Sequence, residues 1–415
     1  MKGMEQGRIV KVQGHRLLSQ GPRCRIGDLV LARTADGRTV RCLTEGFEGL
    51  HVHLLALEET RGLGYGDLVL STGRPVSIQL TPVLRGRLLD GFGTCSSQET
   101  AGFGVAVYPT MTPKVQRQIP LPLDRKFHSG VRAIDALLTL GAGQRVLFHS
   151  YSSCPSLLRK TTSMMARYGK AQTVVFGLIG YKQREVEQLT SLLDQQTGRR
   201  CVIFSAPTGS PAGERFHCGY AATTCAEFFR DQGEDVLLVL DSMQQWQKAY
   251  CELSALETEQ ARELLQGATL AQLVERAGRR AAGSITAVYC LCGSKDSLTR
   301  ELSELVESRI VFTLEMESLG VYPPIDILKS TSYNWSSLIS PEQQQLVSSF
   351  HYVLRYFERN KQLIRVGALF EGLCDRSDRA LERVQRCWHF LRQGLNEPSN
   401  EIDSLRRLAE CVAID

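Results

Sequence analysis

Six short apolar runs, interleaved with longer amphipathic segments, constrain this chain more than any other feature. They are Arg145–His149, Thr173–Ile179, Cys201–Phe204, Val236–Leu240, Ser284–Cys290 and Ile310–Leu314. Such runs fit strands buried on both faces of a parallel sheet. The segments between them are long enough for crossover helices. Residues from about 126 to 340 therefore read as an α/β unit with a mainly parallel sheet.

The flanks follow other rules. Residues 7 to about 80 break into short strands: Arg25–Arg33 ends at the hairpin signal Ala35-Asp36-Gly37, and Val40–Phe47, His51–Leu57 and Gly66–Leu70 follow before Gly73-Arg74-Pro75 interrupts. Short strands with this glycine punctuation suggest a small β-barrel. Residues 82 to about 125 are rich in Gly and Pro and read as a connector. Past 341, Gln343–Lys361, Ser377–Gln393 and Glu401–Val412 carry apolar residues at helical spacing. At 415 residues the chain exceeds one small core. The expected division is a barrel over 1–81, the core domain over 82–340 and a helical domain over 341–415.

Composition narrows the function classes. A net charge of +5, spread along the chain, demands no nucleic-acid or lipid partner. Phe47 and Tyr65 are isolated, so the barrel has no aromatic platform for single-stranded nucleic acid. The 13 cysteines are odd in number and scattered, with only Cys290 and Cys292 close together. That pattern argues against a secreted disulfide framework and for a reducing cytosol. Met1–Val10 lacks the apolar core of a secretory signal. No run approaches the roughly 20 residues of a membrane span, so any membrane association is expected through partners. His51 and His53 alternate on a strand without a third ligand, which argues against a metal there.

Motifs in the core are more specific. Ser129–Asp135 reads SGVRAID and resembles "TGVRAID"; Gly143-Gln144-Arg145 resembles "GQR". Leu178-Ile179-Gly180 with Arg184-Glu185-Val186 resembles "LIGERGREV", and Glu227–Gly233 with Val236–Ser242 resembles "AEYFRDQGKDVLLMMDS". Leu273–Gly278, Gly320–Asp326, Leu363–Ala368 and Phe390–Gly394 resemble "LLERAG", "GYPAID", "LIRIGA" and "FLRQG". In this order, over nearly the whole chain, the motifs resemble those of the flagellar and type III secretion export ATPases, similar in fold to rotary ATP synthase subunits. The resemblance implies a central RecA-like P-loop domain, with ATP and Mg²⁺ as cofactors. It also implies a hexameric ring in the cytoplasm, at the base of a bacterial export machine. Partners would be stalk and stator proteins and chaperone–substrate complexes.

ATP hydrolysis needs a phosphate cradle with its lysine, a metal-holding Ser/Thr and Asp, a water-positioning carboxylate and an arginine from across the subunit boundary. The cradle should read G-x-x-x-x-G-K-[ST], because glycine lets backbone N–H groups wrap closely around phosphate. Here Ser150–Thr161 reads SYSSCPSLLRKT, with no glycine, with Pro155, and with Arg159 where the last glycine belongs. Lys160 and Thr161 survive, either as a remodelled phosphate site or as an exposed basic helix start. Asp241 ends an apolar strand, as a metal-associated Asp does, or else caps the next helix. The carboxylate position holds Tyr181, a phenol that cannot serve as a base near pH 7. Glu185 lies nearby as a substitute. Tyr333 occupies the place of the trans arginine, whose loss typically costs on the order of 10³–10⁵ in rate. Lys329 is a partial stand-in that lacks the planar fork. Tyr322 is placed to stack on adenine or simply to pack. By this resemblance Lys160, Thr161, Asp241 and Tyr322 are the nucleotide residues, with Thr161 and Asp241 toward Mg²⁺.

The main reading is a catalytically impaired member acting as a structural or regulatory export component. The alternative is an active ATPase with an atypical phosphate loop. A third is a non-catalytic ring subunit that mixes with an active paralogue, although such subunits keep the loop and arginine that this chain lacks. Arg355, Arg359, Lys361 and Arg365 form a basic helical face, open to a partner or simply solvated.

Overall fold

The computed structural model describes residues 5–95, 105–111, 121–151, 155–193, 195–254, 259–293, 297–333, 335–365 and 375–413. Six antiparallel strands close the first barrel: Gln6–Gln13, Arg16–Gln20, His51–Ala56, Thr39–Glu48, Asp28–Arg33 and Leu68–Pro75, in that spatial order. Alternate residues point inward, and Ile9, Val30, Val40, Leu54 and Val69 fill the interior. Gly37 turns the central hairpin at φ 90°, a conformation that favours glycine. The sequence suggested that Gly73-Arg74-Pro75 ends the last strand at about Leu70. Instead the strand runs on to Pro75, which pairs with Asp28 beyond a bulge.

The central sheet runs Thr331–Ser332, Ser308–Phe312, Arg145–Ser150, Ser284–Cys292, Asp235–Asp241, Thr173–Ile179, Cys201–Ala206 and Leu88–Asp90. Successive neighbours from Ser308–Phe312 through Leu88–Asp90 pair parallel, and Gly278–Arg279 adds an antiparallel pairing to Ser284–Cys292 off this order. Leu88–Asp90 lies in the stretch read as a connector. It reaches the main sheet because the chain leaves the barrel beside the Cys201–Ala206 edge, where Ile203 pairs with Leu88.

Helix Ala212–Asp231 is buried nearly all round, because the central sheet covers one side and helices Met243–Leu253 and Glu259–Val274 also pack on it. A Cβ on Gly213 would stand 2.3 Å from Leu57 Cα, and one on Gly219 would stand 2.9 Å from Trp246 Nε1. Gly213 thus sets how closely the barrel end approaches the core, and Gly219 how closely this helix approaches Met243–Leu253. Glu227, fully buried, accepts from Arg276 Nε at 3.2 Å and Nη2 at 2.6 Å.

Helices Pro341–Arg365, Asp375–Leu391 and Glu401–Val412 pack on one another and on the first core helix, Arg132–Leu137. Motif residues make that junction. Arg132 N–H donates to Gln393 Oε1 at 2.7 Å, and Gln393 Nε2 returns to Gly130 O at 2.9 Å. The Arg132 guanidinium donates to Phe390 O and Arg392 O and pairs with Glu397. Asp135 accepts from Ser129 and Gly130 N–H and from Ser129 Oγ, fixing the turn before it. Among the described residues no helix is long and apolar enough to cross a membrane.

Candidate functional site

Parallel strands present their C-terminal ends along one edge of the sheet, where ligands of open α/β folds bind. Ser150, Ile179 and Asp241 end there, and the helix Pro155–Tyr168 begins after the first of them. Of the phosphate loop, residues 152–154 lie outside the described set.

Four residues singled out in the sequence come together at this edge. The Tyr181 hydroxyl donates to Asp241 Oδ2, and both side chains are buried. The Arg159 guanidinium lies on the Tyr181 ring, 4.5 Å from its centroid, and donates from Nη2 to Glu185 Oε1 at 3.0 Å. Glu185 Oε2 accepts Lys182 N–H at 2.9 Å and caps its helix. Both Glu185 oxygens are therefore engaged in contacts within the protein. Burial works against its charge, yet the Lys182 amide and Arg159 hold its carboxyl below the usual range.

Electrostatics fix the roles. Burial, then the neighbouring Asp241 charge, pushes the Tyr181 phenol well up, so it stays a hydrogen-bond donor. Burial pushes Asp241 up to about 6, against the lowering pull of Tyr181 and Arg159. Asp241 does not cap the following helix. That cap is Ser242, whose Oγ accepts Gln245 N–H at 3.4 Å.

The other residues singled out in the sequence fall around this cluster. Lys160 is exposed, with Nζ 5.9 Å from the centroid of the Tyr322 ring. Tyr322 is half-buried; its hydroxyl has no hydrogen-bond partner among the described residues, and its backbone carbonyl accepts Gln393 N–H at 2.6 Å. Thr161 is fully buried and donates through Oγ1 to Leu157 O at 3.0 Å. Mg²⁺ demands near-octahedral, anionic oxygen ligation. As arranged, the Thr161 hydroxyl is turned into its helix and Asp241 Oδ2 accepts from Tyr181 beside a guanidinium, so a metal held by these two residues would have to displace both contacts.

Tyr333 stands apart and exposed, its N–H donating to Glu307 O at 3.1 Å. It borders a groove of about 700 Å³ lined also by Ser330, His351, Tyr352, Arg355 and Arg359. Lys329 is held by Asp326 at 2.8 Å. Lys361 of the basic face pairs with Glu315 and Glu358, whereas Arg355 and Arg359 face the groove. The side chain of Arg365 and residues 366–368 lie outside the described set. His53 pairs with Glu48 at 3.3 Å, and the described residues contain no cluster of three or more His, Cys, Asp or Glu side chains.

Sequence reasoning missed Arg159. It registered there only as a lost glycine, yet it is the cation that ties Tyr181 to Glu185. The available signal was the joint change of a cradle glycine to Arg and a carboxylate to Tyr, on two segments that end at one sheet edge.

Residues 130–332 match the nucleotide-binding domain of the ATP synthase alpha/beta family, and residues 339–410 match the T3SS EscN ATPase C-terminal domain. The chain is 33% identical to the flagellum-specific ATP synthase of Salmonella typhimurium, over 97% of this chain and 92% of that one. It is 30% identical to the type 3 secretion system ATPase of Xanthomonas euvesicatoria, over 99% and 94% of the two chains. The assembled ATPase EscN of the enteropathogenic E. coli type III secretion system superposes with a TM-score of 0.88 at 27% identity, covering 98% of this chain and all of that one. EscN in complex with its central stalk EscO gives the same figures. This chain belongs to the flagellar and type III secretion ATPase family.

Proposed function

We propose that this family member has a hydrolytic site closed by its own side chains and serves as a structural or regulatory component of a protein-export apparatus. The observation that carries the reading is the buried contact of Tyr181 with Asp241, with Arg159 laid over the phenol ring. The carboxylate that would orient water is replaced by a donor that occupies the remaining acid. The position of the trans arginine holds an exposed Tyr333, which bears no charge to stabilise a transferring phosphoryl group.

Lys160, Thr161, Asp241 and Tyr322 are the positions at which a nucleotide would be met. The barrel over 1–81, the nucleotide-type domain over 82–340 and the helical domain over 341–415 are the units of the chain. The assembled state of EscN and its complex with a central stalk support a ring, hexameric in this reading, that meets a stalk. Stator proteins, chaperone–substrate complexes and an active paralogue are the further partners. The chain would sit in the cytoplasm at the base of the machine and reach the membrane only through these partners.

The test is in the cell of origin. Export should survive Lys160→Ala and fail on deletion of the chain. A Lys160→Ala strain as defective as the deletion would reject the reading. An active ATPase with an unusual loop is the second reading, favoured by the approach of Lys160 to Tyr322. Failure of purified protein to bind a labelled ATP analogue with Mg²⁺ would dismiss it.

A further inference from the structure

We infer that the groove beside Tyr333 is a docking site for an extended acidic segment of a partner protein. The inference goes beyond the proposed role and does not depend on the state of the hydrolytic site.

The groove, of about 700 Å³, runs between two elements. One wall is residues 330–333, whose strand Thr331–Ser332 is the outermost strand of the central sheet. The other wall is helix Pro341–Arg365, and Leu137, Leu138 and Val347 add apolar surface. Tyr333 and Tyr352 stand exposed at its rim, with rings that accept both apolar and polar contacts.

Charge selects the occupant. Arg355 and Arg359 line the groove, are exposed and make no ion pair among the described residues. Lys361 on the same helix is instead matched by Glu315 and Glu358. No Asp or Glu lines the groove. His351 Nε2 is buried with no hydrogen-bond partner among the described residues, so the groove also holds an unspent polar group. Arginine pairs with carboxylates through charge-assisted hydrogen bonds.

Spacing favours a peptide over a lone anion. Arg355 and Arg359 are four residues apart on a helix, about 6 Å along its axis. Side chains two apart on an extended chain share a face and recur about every 6.6 Å. Alternate acidic residues would therefore meet the two guanidinium groups in turn. Outside its helices, the described part of this chain has no two carboxylates spaced in that way, so the segment belongs to another protein.

The test is fluorescence anisotropy on the whole chain with a short labelled peptide that alternates glutamate with leucine, beside the same peptide with glutamine for glutamate. The glutamate peptide should bind at least about tenfold more tightly than the glutamine one. Arg355→Gln/Arg359→Gln should weaken its binding by about tenfold or more, and Tyr352→Ala by a smaller factor. Arg61→Gln/Arg74→Gln, which removes the same charge from exposed positions on the barrel, should leave binding unchanged. Should the groove double variant not fold, Tyr352→Ala and the glutamine peptide decide. No binding of the glutamate peptide overturns the inference, as do equal losses in the two arginine pairs. Displacement of the peptide by inorganic phosphate at constant ionic strength overturns it too, because the site would then take a small anion. Self-association of the unaltered chain in sedimentation that Arg355→Gln/Arg359→Gln abolishes would also overturn it, since a second copy would then fill the groove.

Discussion

Asp241 carries the most telling titration in the molecule. Its carboxyl is pushed up to about 6 by burial, against an ordinary 3.8. Between those values the folded chain holds a proton that the unfolded chain has released. The stability contributed by this group is therefore fully present below about pH 4 and is lost as pH rises through about 6. His217 has the opposite slope: burial pushes it down to about 4, so its contribution is present above its unfolded value and is lost as pH falls. Comparing the unaltered chain with Asp241→Asn cancels the histidine. From about pH 4 to pH 7 the variant should gain on the order of 1–3 kcal/mol relative to the unaltered chain, read from paired thermal melts. A difference that stays flat with pH would show that Asp241 is not held as described. Asp241 at a strand end was legible from the sequence. Its occupation by Tyr181 was not, because the two lie 60 residues apart and only the parallel pairing of Leu178 with Asp241 brings them together.

At the scale of elements, the buried strands were the most legible part. A short apolar run bounded by turn residues has few other stable solutions in a chain of this length. Leu88–Asp90 escaped notice because three residues carry no period, and its place depends on the edge exposed by Cys201–Ala206. The Glu227–Arg276 contact lies between two segments first noticed only as family-like strings. It joins helix Ala212–Asp231 to the turn after Glu259–Val274. Arg276→Met would take from a fully buried carboxylate the two guanidinium hydrogen bonds it accepts and should cost about 3–5 kcal/mol in chemical denaturation. A loss below about 1 kcal/mol would mean that the pair is no more than a surface contact.

For the molecule as a whole, the order of barrel, sheet and helices could be read from changes in hydrophobic period. How the helical domain is fastened could not. The Gln393 side chain bonds to Arg132 N–H, Gly130 O and Glu397 O while its backbone N–H donates to Tyr322 O, so one residue joins the C-terminal helices to the segment that carries the candidate adenine-facing ring. In Gln393→Ala, which removes the side-chain bonds and keeps the backbone one, amide exchange should quicken in Glu401–Val412 and around Arg132 while the strands of the central sheet keep their protection. Unchanged exchange in both regions would show that the junction does not depend on this side chain. The backbone bond from Gln393 holds the Tyr322 carbonyl against the C-terminal helices. The central claim is that this edge of the sheet is closed by Arg159, Tyr181 and Asp241. Its most direct test is phosphate release from MgATP by the purified chain beside its Lys160→Ala variant. The two rates should be indistinguishable; turnover by the unaltered chain that Lys160→Ala abolishes would contradict the account.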